Sequence, residues 1–325
     1  MVLAMALAMS GLAAGFSAEI KWTIGGIGAD RWVLSDNAHG LISNGSLLPQ
    51  ADATVISQSP GVTGAAGLAV FPQQVARING RSKTVLVFGV VPGNIGAPAV
   101  TSGQALTGPG QVVADVRTGA AVGTQITVGS RSFRVVGQVV NRTMLAGSPI
   151  IFMPLHDAQV LALGGRPLIT AVVTRGVPSQ VPPGLAVLTT AKIEHDNLAP
   201  LAGAISSINN SKYIMWVVAA IIVAALLYVS ALQRVRDFAV LKALGSSSLL
   251  LFESLALQAV VVTLLAAVLA MIVANFMGGF FAQPVVIPGS AFATLPVIAI
   301  VVGLVSSLVA VRRATSADPA AAFGG

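Results

Sequence analysis

A chain of 325 residues that is 55% hydrophobic and only 9% charged lies far below the roughly 25% charge of soluble domains, which excludes an ordinary soluble protein and points to one built into a membrane. Its net charge of +7 does not indicate a nucleic-acid binder, because no dense basic run with interleaved aromatics is present. The absence of cysteine excludes a disulfide framework, a thiol nucleophile and a thiolate metal site.

Residues 1–18, MVLAMALAMSGLAAGFSA, carry no formal charge before Glu19. A secretory signal would open with a positive n-region, and none is present, so the stretch reads as a first transmembrane helix. It is slightly short of the roughly 20 residues that a span requires, which fits a start clipped upstream.

Residues 19–212 read as a large α+β domain with antiparallel or mixed strands. RSKTVLVFGVV (81–91) is β-branched and ends at the Pro92-Gly93 turn signal. TQITVGSRSFRVVGQVV (124–140) alternates on both sides of Gly129-Ser130. A two-residue turn there sets Val128 opposite Arg131 and Ile126 opposite Phe133. SPIIFMPL (148–155) and PLITAVVT (167–174) are further strands, and HDAQVLAL (156–163) is a helix. HDNLAPLAGAISSI (195–208) is expected to be a helix leading straight into the next span, with Asp196 or Asn197 as N-cap.

Three more spans follow. Residues 213–232 are uncharged, with Tyr213, Trp216 and Tyr228 toward the ends as interfacial anchors. From Ser254 to Val311 there is again no formal charge, and Gly278, Gly279, Pro284, Pro288 and Gly289 divide that stretch. It splits into a span over 249–276, a loop over 277–290 and a span over 291–311, with Pro296 in the first turn or so of the last. Arg234, Arg236 and Lys242 follow the second span, and Arg312 and Arg313 follow the fourth, whereas the 277–290 loop has no basic residue. By the positive-inside rule, 233–248 and the tail 312–325 are cytoplasmic and the 19–212 domain is outside.

Catalytic signatures are missing. No Gly-Lys dipeptide exists, so there is no GxxxxGK[ST] phosphate loop, and there is no HExxH or GxSxG. His39, His156 and His195 are scattered. Glu194-His195-Asp196 are consecutive and share no face, so they read as a solvated helix start. Glu253 is about a turn into the third span, near an N-terminus whose dipole favours a carboxylate. Gly303, Ser306 and Ser307 suit close helix packing in the fourth. The chain is expected to be neither an enzyme nor a holder of a metal or cofactor.

ALQRVRDFAVLKALG (231–245) stands out between the second and third spans. It is built of helix formers up to Gly245, which ends it. Arg234 and Asp237 are spaced to pair on one face. The segment resembles the E-R-x-R-E-F-x-x-L-K-A-x-G signature of the FtsX-like/MacB-like ABC transporter permeases. Arg234, Arg236, Asp237, Phe238, Leu241, Lys242, Ala243 and Gly245 carry the match, with Gln233 and Asp237 at positions where Glu is common. VGTQITVGSRSFRVVGQVV resembles the family's G-D-x-v-x-v-x-g-x-x-f-x-V-v-G stretch, with Thr124 replacing the acid, and the tail matches D-P-x-x-A at Asp318, Pro319 and Ala322.

The resemblance implies an integral membrane α-helical protein of four transmembrane helices, with the α+β domain between the first and second on the extracytoplasmic side. It implies a permease subunit in the bacterial plasma (inner) membrane, paired with a second permease copy in a homo- or heterodimer. Separate ATPase subunits would bind ATP and Mg. Gln233, Arg234, Arg236, Asp237, Phe238, Leu241, Lys242 and Gly245 would dock on the ATPase, and Arg312, Arg313, Asp318 and Pro319 would form a cytoplasmic tail contact. Motion would pass to the outer domain for export. In the alternative, it would regulate an extracytoplasmic partner such as a cell-wall hydrolase without transport. Relatives usually begin with a basic cytoplasmic helix ahead of the first span, which this sequence does not show.

Overall fold

A computed structural model describes residues 2–42, 46–233, 240, 248–277, 281, 283–294, 296–298, 300–301 and 304–305. Their contacts define two units: one drawn from 1–14, 204–281 and 285–325, the other from 15–203 and 282–284.

The second unit is built on a mixed sheet of 11 strands. β1 (Arg31–Ser35), β3 (Val62–Ile78), β4 (Arg81–Val90), β6 (Gln111–Asp115), β8 (Arg131–Val139), β10 (Ser148–Pro154), β12 (Ala171–Gly176) and β13 (Leu185–Thr189) form its main path, which ends at the two-residue β5 (Ser102–Gly103). β7 (Gln125–Val128) pairs with both β8 and β3. That double pairing closes a ring, β3-β4-β10-β6-β8-β7 and back to β3. β9 (Thr143–Met144) hangs on β10, and β2 (Leu48–Pro49) pairs with β11 (Leu168–Ile169) as a separate ribbon.

β3 belongs to two assemblies. Its first part pairs with β12 from Val62 to Leu68, and its last part pairs with β7 at Ala76 and Arg77. The register against β4 shifts between Phe71 and Gln74, and Gln73 takes φ 56°. This is a bulge that bends the strand out of one sheet into the ring.

Strand alternation sorts the apolar residues into separate cores. Val85 and Val87 of β4, Ile151 and Met153 of β10, and Ile126 and Phe133 fill the ring. The intervening Leu86, Phe88, Val90, Ile150 and Phe152 face outward onto Trp32, Leu34, Leu68 and Val173. Both faces of β4 and β10 are therefore buried, which is why their sequences run apolar without alternation. A third core sets Val33, Ala69 and Val172 against Ile56 of α2 (Ala51–Ser57) and Leu155 of α3 (Leu155–Leu163).

The strands expected at 81–91, 124–140 and 148–155 are present, and the hairpin register pairs Val128 with Arg131 and Ile126 with Phe133. The helix expected at 156–163 is α3. The 167–174 segment is not one strand. The Thr170 hydroxyl accepts from Val70 N–H at 3.0 Å and donates to Leu68 O at 3.1 Å, turning the chain so that β11 leaves for β2 while β12 stays in the large sheet.

The helix start expected at Asp196 or Asn197 is corrected. α4 (Thr190–Leu198) begins earlier, because the Thr189 side chain accepts from Lys192 N–H as N-cap. Asp196 and Asn197 instead lie buried near its end. Asp196 pairs with Lys192 at 2.8 Å, and Asn197 accepts from Leu41 N–H at 3.1 Å and donates to Ile193 O at 2.8 Å. Glu194-His195-Asp196 is therefore not a solvated start. The helix expected over 195–208 is interrupted by a 3-10 turn at Ala199–Leu201, which passes directly into the long helix Ala202–Gln233, so the run into the next span is as expected.

Among the described residues, three helices are long and apolar enough to cross a membrane. α1 spans Val2–Gly25, α5 Ala202–Gln233 and α6 Ser248–Met277. α1 runs past the expected end at residue 18, and α5 starts well before Tyr213. The last helix is described over Gly289–Ile298; it starts before Ala291, so Pro296 falls about two turns in rather than in the first. Leu7, Ala267, Ala274 and Ala291 form a core of the helical unit, with Trp216, Met271 and Ile287 packed against it. Ile221 and Leu226 of α5 and Leu265 and Phe276 of α6 are exposed, the outward apolar surface a lipid-facing helix needs. Glu253 is also exposed. Gly303, Ser306 and Ser307 lie outside the described residues.

Phe152 meets Phe88 edge-on, with ring centroids 5.5 Å apart. Phe152→Ala opens a cavity between ring and sheet that is expected to cost about 3–5 kcal/mol. Thermal scans of the full-length protein should show an apparent Tm about 10 °C lower.

Candidate functional site

Of the residues expected to meet an ATPase, Gln233 is the last residue of α5 and is exposed. Arg234, Arg236, Asp237, Phe238, Leu241, Lys242 and Gly245 lie outside the described residues, as do Arg312, Arg313, Asp318 and Pro319. Between α5 and α6 only Val240 is described, and it is helical and exposed.

A second group of polar residues surrounds the C-terminal turns of α1. The charge-free part of that helix ends at Ala18, and from Gly15 onward its residues belong with the β unit. Ile20 and Ile24 enter the core that faces the sheet. The polar side chains on these turns reach the loop between β8 and β10. Glu19 Oε1 accepts from Gly147 N–H at 3.0 Å, and Thr23 Oγ1 donates to Thr143 O at 2.8 Å. In return, Arg142 Nη1 donates to Trp22 O at 2.7 Å, placing a cation at the negative end of the helix dipole on a carbonyl that also accepts from Gly26 N–H at 3.1 Å. Gly26 makes this approach possible, since a β-carbon there would collide with the guanidinium.

The loop is braced from behind. Asp115, fully buried at the end of β6, accepts from Arg142 N–H at 2.7 Å and from Arg117 N–H at 2.9 Å. The latter bond caps the 3-10 turn Val116–Thr118. A chain of hydrogen bonds thus leads from α1 through the Asn141–Gly147 loop to the ring.

The charges at this joint are costly to bury. Glu19 is 1% exposed, with the Gly147 N–H on Oε1. Burial raises Asp115, opposed by its two N–H donors and by Arg117 and Arg142. Desolvation lowers Arg142, opposed by the charge of Asp115.

Two clefts mark the β unit. One of about 550 Å³ lies beside α2, with Gln50, Thr54, Ser57 and Asn94 above a floor of Ala65, Ala66 and Gly67. It contains no ionisable group, so it suits uncharged hydrogen-bonding groups. Gln159 Nε2 holds Gln50 Oε1 at 2.8 Å on its wall. The other, of about 670 Å³, lies at the β3-β4 turn and offers Arg81, Lys83, Asn79 and Thr118, a cationic surface.

Sequence reasoning singled out none of the joint. In the sequence Glu19 only ends a charge-free run, and Arg142 stands after the 124–140 strand signals with no marked partner. A lone acid and a lone arginine at the ends of apolar stretches were the available signal, but the partners are more than 100 residues apart in sequence.

Long apolar helices and a large β unit define a membrane protein with a folded domain outside the lipid. Residues 1–185 match the MacB-like periplasmic core domain, and residues 213–319 match the FtsX-like permease C-terminal region. An ABC transporter permease of Mycobacterium tuberculosis (strain ATCC 25618 / H37Rv) is 38% identical over 100% of this chain and 93% of its own length. A second permease of that strain is 36% identical over the same shares. The crystal structure of the periplasmic region of MacB from Actinobacillus actinomycetemcomitans aligns with a TM-score of 0.38 and 15% identity, covering 54% of this chain and 96% of that one. The chain belongs to the family of ABC transporter permeases with a MacB-like periplasmic core domain and an FtsX-like C-terminal region. It is a membrane permease with an extracellular domain.

Asp115→Ala leaves two backbone N–H groups without their acceptor, an expected loss of about 2–4 kcal/mol. Asp115→Asn keeps one acceptor oxygen and should lose about half as much. Thermal unfolding of the two full-length variants beside the parent tests the order.

Proposed function

We propose that this chain is the transmembrane subunit of an ABC transporter, and that it carries the energy of ATP hydrolysis from a separate ATPase subunit to its extracellular domain for export. The chain is not itself the ATPase; ATP and Mg belong to the partner. The segment from Gln233 to Gly245 docks on that partner through Arg234, Arg236, Asp237, Phe238, Leu241 and Lys242, and the tail adds Arg312, Arg313, Asp318 and Pro319. Two copies, or this chain and a related one, assemble in the plasma membrane.

The observation that carries this reading is the hydrogen-bonded end of α1. A helix that is continuous over Val2–Gly25 and bonded to the β8-β10 loop at Glu19, Trp22 and Thr23 hands its displacement to the domain rather than losing it in a linker. Family membership supplies the ATPase partner.

The test is co-purification of the full-length permease with an ABC ATPase subunit from the same organism. Phe238→Ala and Arg236→Ala are expected to weaken the association by about 2 kcal/mol, roughly thirty-fold, and to abolish permease-dependent ATP hydrolysis. Retained assembly and coupled hydrolysis in both variants would remove the docking role from this segment.

A further inference from the structure

We propose that the cleft beside α2 binds an extended, uncharged segment of a partner protein, which adds to β3 as a further strand.

Over its first part β3 is paired on one side only. β12 holds Val62 to Leu68, whereas β4 takes up the opposite side from Ala69, which pairs with Gly89. Leu68 O accepts from Thr170 N–H at 2.8 Å, and Val70 N–H donates to the Thr170 hydroxyl at 3.0 Å. The main-chain groups of these two residues are therefore turned toward β12. Alternation along the strand turns those of Ala65 and Gly67 to the other side, and both residues line the cleft. Among the described residues no strand pairs with Val62–Leu68 there. A row of unpaired N–H and C=O groups is a template for another chain, which natural sheets blunt with charge or proline. The segment VTGAAGL (62–68) has neither.

The rest of the cleft favours a neutral main chain. Its floor of Ala65, Ala66 and Gly67 has no side chain longer than a methyl group, so another backbone can come close. Gln159 Nε2 occupies Gln50 Oε1, and Ile95 N–H occupies Asn94 Oδ1, each at 2.8 Å. The amide N–H groups of Gln50 and Asn94 are left as donors to an incoming carbonyl, and Thr54 adds a hydroxyl. No lining residue is ionisable, so a charged side chain entering the cleft would lose water and gain no counter-charge. In strand addition the main-chain bonds supply affinity and the neighbouring surface selects the side chains; here that surface selects small, uncharged ones. The cleft lies wholly on the β unit, so its occupant is an extracellular protein.

The site stands on the geometry of the β unit, and only its use in transport rests on the ATP-coupling reading. The test is hydrogen–deuterium exchange of the full-length protein in lipid nanodiscs, with a panel of uncharged hexapeptides and copies of them N-methylated at alternate amides. Binding peptides are expected to raise protection of the 62–68 segment about tenfold, and their N-methylated copies to leave it unchanged. Thr54→Arg sets a charge at the exposed side of α2. Ala65→Pro removes an N–H that β12 does not use, a change that a strand edge tolerates. Each variant is expected to weaken peptide binding about tenfold. Absence of protection by every peptide of the panel overturns the proposal, as do equal protection by the N-methylated copies and parent-like binding by both variants. Protection by maltose in place of the peptides would assign the cleft to a sugar and overturn it too. Loss of ATPase association in the coupling-segment variants bears on the docking role alone and leaves this readout standing.

Discussion

The hydrogen bonds between β3 and β7, at Ala76 and Arg77, are the constraint on which the extracellular domain depends. Without them the strands would form one long open sheet, with β7 as a flap on β8. With them six strands close on themselves, and Val85, Val87, Ile126, Phe133, Ile151 and Met153 gain an interior. The bulge between Phe71 and Gln74 makes the closure possible, because a straight 17-residue strand could not serve both β12 and β7. The sheet that continues from β3 through β12, β1 and β13 then presents Trp32, Leu34 and Leu68 to the outer side of β4 and β10.

The end of α1 is held against this double-layered core by polar contacts as well as apolar ones. Ile20 and Ile24 supply burial, which has no direction. Glu19, Thr23 and Arg142 supply hydrogen bonds, which do. Asp115 connects them to the ring by taking two N–H groups from the chain that leaves β6 and β8. Two of the residues that set the helix's position are thus the same residues whose charges are hardest to bury.

Much of the domain could be read from the sequence where the physics is local. Alternation around Gly129-Ser130 specified the β7-β8 hairpin with its register, and the β-branched run at 81–91 gave β4, because each signal lies within a few residues. Features set by distant partners were missed. PLITAVVT looks like one strand until Thr170 meets Leu68 and Val70, about 100 positions away. Asp196 and Asn197 look like caps until Thr189 takes that role and Leu41 claims Asn197. The membrane segments followed from charge depletion, but α1 continues to Gly25 because its next turns carry Ile20 and Ile24 into the core, where an acid is tolerated at Glu19. The Gln233–Gly245 segment was legible as a motif only. On the proposed reading its chemistry serves a second protein, so its own chain does not define the surface it fits.

Ring closure carries a mechanical consequence. In an open sheet, one strand can slide along its neighbour by exchanging hydrogen bonds at a free edge. In a closed ring there is no free edge, so a slip of one residue must break the rungs on both sides of the strand together and turn its interior side chains outward. The turn at Gly129-Ser130 lies at the far end of β8 from the Asn141–Gly147 loop that receives α1, on the order of 30 Å along the nine-residue strand. Its distance from that loop is set by the ring, which resists shear as a single closed sheet does.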